Sequence, residues 1–128
     1  MLTSGAIKNP HCTKHLRYFL PLLCKIQVNV FLRVDHAAGA KKIGRDLRPT
    51  ELLVFGNPQG GTPLMECAQS AGIDLPLKAL AWQDASGQVW LGYNDPQFIA
   101  RRHEGKDCGP VAQNLAKALA GLAQEATR

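Results

Sequence analysis

The sequence predicts an α+β fold, with strands and amphipathic helices alternating around one core. Three observations predict it. Val28, Val30, Leu32 and Val34 recur with period two across 26–34, as in a strand with one buried face. The apolar run Leu52-Leu53-Val54-Phe55 leads into a glycine-rich turn and a helical pattern, the signature of a covered strand followed by a helix. Val111, Leu115, Ala118, Leu119 and Leu122 form the apolar stripe of a helix over Pro110–Ala126. A chain of 128 residues suffices for one core, not two.

The elements follow in order. After the strand, Asp35 is placed to cap a short helix in Ala37–Leu47 that ends near Gly44. A strand covers Thr50–Phe55. The segment Gly56-Asn-Pro-Gln-Gly-Gly61 reads as a loop, with Thr62 as the N-cap and Pro63 as the first residue of a helix that ends at Gly72. Leu77–Gln83 and Gln88–Asn94 alternate as a hairpin joined by Asp84-Ala-Ser-Gly87. Asp95 caps a short helix from Pro96. Residues 1–27 have no clean period, although 15–23 could form a short helix. Pro10 and Pro21 interrupt the segment. The chain thus divides into an atypical N-terminal segment, 1–27, and a single α+β domain, 28–128.

Composition narrows the function classes. Hydrophobic residues make up 45% and charged residues 20%, a globular balance. No uncharged apolar stretch reaches the length of a membrane span. The net charge of +5 is uneven, +7 over residues 1–48 and −2 over 49–128. Lys8, Lys14, Arg17 and Lys25 alone supply +4. Aromatic residues are not interleaved with the basic ones, so nucleic acid is not the expected partner. Cys12, Cys24, Cys67 and Cys108 form no C-x-x-C and match no zinc spacing. They read as free thiols in a reducing compartment. The run Tyr18-Phe-Leu-Pro-Leu-Leu-Cys24 is short, contains a proline and has no small-residue cleavage site, so the expected location is the cytoplasm.

One ordered set of motifs is specific. It comprises Asp35-His36, Arg48-Pro49-Thr50, Gly56-Asn57-Pro58, Gly61-Thr62-Pro63-Leu64, Leu75-Pro76-Leu77 and Tyr93-Asn94-Asp95-Pro96. Together they resemble the bacterial and archaeal family called domain of unknown function 302, over residues 28–126. The resemblance implies a curved antiparallel sheet backed by helices, β-α-β(4)-α in order, similar to the TATA-binding-protein half-domain, and a small, often dimeric protein. It implies no activity and no catalytic residue. The family pattern also calls for a first strand and then an amphipathic helix with a polar face, and residues 1–27 do not show that pattern.

Five residues, Gly56, Asn57, Gly60, Gly61 and Thr62, make the main ligand-binding candidate. A strand feeding a glycine turn and a helix start can aim backbone N–H groups at a carboxylate or phosphate. The segment lacks the lysine of a phosphate loop. Asp35 and His36 could serve as a proton-transfer pair, but neighbours on a strand point to opposite faces, and Asp35 is explained as a cap. Cys67 could be a nucleophile, although a thiol on an apolar helix face is usually inert. His103 with Cys108, and His11 with Cys12 and His15, fall short of a metal ligand set. Trp82, Trp90 and Tyr93 suit core packing, a dimer interface or the lining of a ligand cavity.

The reading these residues favour is a homodimeric binding module for a small, anionic ligand at the glycine-rich segment, with no cofactor and no metal. One alternative is an enzyme using Asp35/His36 or Cys67. Another is a structural or interaction protein without a small ligand.

Overall fold

In a computed structural model the structure describes residues 2–7 and 28–127. Five antiparallel strands form one sheet in the order β1-β5-β4-β3-β2. They are β1 (Leu2–Ile7), β2 (Asn29–Asp35), β3 (Thr50–Gly56), β4 (Leu77–Gln83) and β5 (Val89–Asn94). Among the described residues, four helices accompany them: α1 (His36–Lys42), α2 (Pro58–Cys67), α3 (Pro96–Arg102) and α4 (Gly109–Thr127). A 3₁₀ turn, Gln69–Ile73, follows α2. The expected α+β architecture and the sheet backed by helices are present.

One departure concerns the first strand. Residues 1–27 do not read as containing one, yet Leu2–Ile7 pairs with β5 from Leu2 opposite Asn94 to Ile7 opposite Val89. The sequence Leu-Thr-Ser-Gly-Ala-Ile has no period-two pattern. The ladder is made by backbone groups, and β5 offers them whatever the partner's side chains. The helix considered for 15–23 and the trio His11, Cys12 and His15 lie outside the described residues.

Cross-strand register fixes which side chains share a face. Leu53 pairs with Ala79, and Ala81 with Leu91. These residues and Phe55 are buried against Leu119 and Leu122 of α4. A second cluster joins Leu64, Ala68 and Ala71 to Ile99, Ala100, Cys108 and Ala112. Leu77 packs against both clusters and makes the core continuous. The Arg48-Pro49-Thr50 motif is a splice between strands. Thr50 Oγ1 donates to the Arg48 carbonyl at 2.8 Å, and Arg48 Nε donates to the Gln83 carbonyl at 3.2 Å. The Gln83 N–H donates to the Pro49 carbonyl at 2.9 Å.

The hairpin turn is organised by Asp84. Its carboxylate accepts from Ser86 Oγ at 2.6 Å, Trp90 Nε1 at 2.7 Å, Ser86 N–H at 2.9 Å and Gln88 N–H at 3.0 Å. These donors, the Ser86 hydroxyl first and the Trp90 indole next, lower its pKa from 3.8 to about 2. A depressed carboxylate pKa stabilises the fold above the unfolded value, and the effect disappears as pH falls through the folded one. Asp84→Asn should therefore melt below the parent protein at pH 6, and the gap should close between pH 4 and 2 in melting scans followed by circular dichroism.

Candidate functional site

The site region starts with the cap of α2. Asn57 is extended, and its side chain accepts from the Gln59 N–H at 2.9 Å. Pro58 occupies the first helical position, where a missing N–H costs nothing. Gly60 and Gly61 both donate to the Asn57 carbonyl, at 2.9 and 3.0 Å. The helix thus begins at Pro58 and not after Thr62. Thr62 lies inside it, and Pro63 is an interior proline. Gln59 is exposed, so water can serve the carbonyl that Pro63 leaves without an N–H.

This corrects the expected geometry of the glycine segment. Gly56–Gly61 is not an open loop, and the N–H groups of residues 59–61 are engaged within the cap. A backbone cradle for an anion is not formed by them. The glycines serve packing instead. A Cβ on Gly60 would stand 2.8 Å from Leu115 Cδ2 of α4, so its absence lets the two helices approach.

All five candidates nevertheless meet at one place. Gly56, Asn57, Gly60, Gly61 and Thr62 line a cleft of about 990 Å³ between the β2–β3 end of the sheet, α2 and α4. Its walls are mostly apolar, with Phe31, Phe55, Met65, Leu75, Leu115, Leu119 and Leu122 prominent. Lys117, Gln124 and Glu125 also line it. These α4 residues carry no sequence signal for the site, because they lie more than fifty residues away and read as one ordinary amphipathic helix. Lys117 is exposed, as suits a cation at the mouth of an apolar cleft.

The remaining candidates separate. Asp35 accepts from the Ala38 N–H at 2.9 Å and caps α1. His36 is exposed at the start of that helix, and neither residue lines the cleft. Cys67 is bonded to Cys108, 41 residues away, with Cα atoms 5.8 Å apart. The reading of both as free thiols is thereby overturned, and Cys67 in this state has no thiol to act as a nucleophile. Spacing gave no sign of the pair, because the chain brings α2 and the start of α4 together only through the second core cluster. Trp82 and Trp90 stack with centroids 6.4 Å apart, on the sheet face opposite Leu53 and Leu91. Among the described residues, no group of three or more His, Cys, Asp or Glu is arranged to hold a metal.

One polar cluster went unread in the sequence. His103 Nε2 lies 2.6 Å from Asp74 Oδ2, and His103 Nδ1 lies 2.9 Å from Ser70 Oγ. Arg102 donates to Asp74 Oδ1 at 3.0 Å. Separations of 29 and 33 residues hide this constellation from any local motif.

Comparison with known proteins places the chain. Over 76 residues, 59% of its length, it is 60% identical to Fluoride-specific ion channel FluC 1 of Brucella suis biovar 1 and to Fluoride-specific ion channel FluC 2 of Brucella melitensis biotype 1. The match spans 30% and 28% of those two proteins, less than a third of each. Among the described residues, no helix is long and apolar enough to cross a membrane. The crystal structure of an uncharacterized conserved DUF302 protein from Bacillus stearothermophilus superposes with a TM-score of 0.88, covering 99% of this chain and 98% of that one, at 17% identity. That likeness is one of fold. The model of the family described as Domain of unknown function DUF302 matches residues 23–122, and the chain belongs to that family.

Proposed function

We propose that the protein is a homodimeric binding module whose ligand occupies the cleft beside Gly56–Thr62. The observation that carries this reading is the convergence of Gly56, Asn57, Gly60, Gly61 and Thr62 on one large, mainly apolar cleft. Apolar clefts with a few polar groups are the usual form of small-molecule sites. The engaged N–H groups of the α2 cap shift the expected recognition of an anion from backbone to side chain. The ligand is then an amphipathic anion, with an apolar body against Phe55, Leu115 and Leu122 and its charge toward Lys117. The kinship with segments of proteins named for fluoride makes fluoride a necessary comparison. On this reading, channel activity belongs to the rest of those longer chains. The cytoplasmic location expected from free thiols loses that support, since a persistent disulfide suits an oxidising compartment.

The dimer reading rests on the sheet face that α4 does not cover. Leu32, Val34, Leu52, Val54, Leu80, Trp82 and Trp90 share it by register. None of these side chains is fully buried among the described residues, and Leu32 is 55% exposed. Lys78 turns its Nζ to the carbonyls of Pro76 and Asp74, which leaves the middle of the face without a charge among the described residues. Four strands about 4.8 Å apart and six residues long give a face of roughly 19 by 20 Å, the centre of an isologous sheet-on-sheet contact.

Two measurements test the proposal. Gly121 lines the cleft, and a Cβ there would meet nothing within 4 Å. Gly121→Leu should therefore put a side chain into the cleft and obstruct it while raising helix stability by roughly 0.5–1 kcal/mol. In thermal-shift titrations with straight-chain carboxylates, phosphate and fluoride, the carboxylates alone should stabilise the parent protein, and the variant should melt higher yet no longer respond. No response of the parent to any carboxylate refutes the cleft reading. For the dimer, sedimentation equilibrium should give twice the 13.9 kDa chain mass, reduced to one chain by Leu80→Asp. A monomeric parent protein refutes that part.

A further inference from the structure

Among the described residues outside the cleft, the strongest chemistry is the line Ser70–His103–Asp74. We propose that it is a serine nucleophile site acting on carboxylic esters, distinct from the ligand cleft.

With a neutral His103 the hydrogen bonds run one way along the line. Asp74 accepts from the Arg102 guanidinium through Oδ1, which leaves Oδ2 to accept from His103 Nε2–H at 2.6 Å. In the neutral imidazole with its proton on Nε2, the other ring nitrogen carries a lone pair. Nδ1 therefore accepts from the Ser70 hydroxyl at 2.9 Å. That is the relation of nucleophile, base and orienting carboxylate that activates serine, with the two ring nitrogens exchanged relative to the Ser-His-Asp template.

Exposure is graded in the sense such a site needs. The His103 and Asp74 side chains are 10% and 16% exposed, whereas Ser70 is an exposed residue. The hydroxyl meets solvent, and the base and carboxylate lie behind it. The framework is also held. Ser70 and Asp74 sit in and at the end of the 3₁₀ turn, and His103 caps the C-terminal end of α3. The Cys67–Cys108 bond ties the chain three residues before Ser70 to the chain five residues after His103. Gly105 lets that loop pass closely, since a Cβ there would stand 2.6 Å from Cys108 Sγ.

The reaction balances without a cofactor. Ser70 Oγ attacks the ester carbonyl carbon while its proton passes to His103 Nδ1. The tetrahedral adduct breaks its bond to the alkoxy oxygen, and the leaving alcohol takes the proton back from Nδ1. Water then attacks the acyl-serine and gives one proton to Nδ1, which returns it to Ser70 Oγ as the carboxylic acid leaves. Ser70 and His103 are the catalytic residues, and Asp74 and Arg102 are positioning residues.

The test uses the oxidised full chain and a fluorophosphonate probe, with the adduct mapped by peptide mass spectrometry. The expected result is an adduct on Ser70, absent in Ser70→Ala and formed roughly 100-fold more slowly in His103→Asn. No adduct on Ser70, or equal labelling rates in the parent and His103→Asn, overturns the proposal and leaves the cluster a clasp between the 3₁₀ turn and α3. Because His103→Asn also removes two hydrogen bonds, Ser70→Cys supplies a second readout. Its alkylation by iodoacetamide should titrate below the ordinary cysteine range near 8.5. A titration in the ordinary range overturns the assignment of His103 as the base. Failure of the cleft ligand experiment leaves both readouts unaffected.

Discussion

Leu119 and Leu122 of α4 rest on the central strands of the sheet, over Ala79, Ala81 and Leu91. The rest of the molecule is arranged around that contact. The two strand alanines leave room for the helix to come close, and each leucine buried there contributes about 1.5–3 kcal/mol. The same helix reaches the second cluster through Ala112, next to the buried Cys108. It also supplies one wall of the cleft through Leu115, Ala118 and Gly121. Core, disulfide and candidate site are therefore three uses of one helix seated on one sheet face.

The start of α2 shows how this packing decides local structure. Asn57-Pro58 and Thr62-Pro63 are both sound helix starts by capping chemistry. The structure takes the earlier one and accepts an interior proline. The added turn carries Gly60, whose missing side chain admits Leu115. Contact with α4 is the gain that favours the earlier start, and it comes from residues more than fifty positions away. In the same step the glycine segment changes character, from an open anion loop to the floor of an apolar cleft.

Much of the fold was legible because its signals are local. The Asp84-Ala-Ser-Gly87 turn, the Asp35 and Asp95 caps and the stripe of α4 all appear where their chemistry places them. β1 was not legible, because an edge strand needs backbone partners more than a pattern. The Cys67–Cys108 bond and the Ser70–His103–Asp74 line were not legible either. His103 lies 29 and 33 residues from its two partners and the cysteines lie 41 apart, and only the meeting of α2, the 3₁₀ turn and α3 brings them together. Gly56, Asn57, Gly60, Gly61 and Thr62 stand out in the sequence as a glycine-rich turn between a strand and a helix, and in the fold they line the cleft as packed backbone and not as an anion loop. The α4 wall opposite them was hidden, since Lys117 and Gly121 look like any exposed helical positions.

The central claim is that the cleft between α2 and α4 receives an amphipathic anion. Amide chemical-shift mapping during titration with dodecanoate tests it most directly. The account predicts saturable shifts concentrated at Gly56, Asn57, Gly60, Gly61, Thr62 and Gly121, the backbone around the cleft. Shifts confined to the outer sheet strip of Leu52, Leu80 and Trp90, or no saturable shift at all, would contradict it.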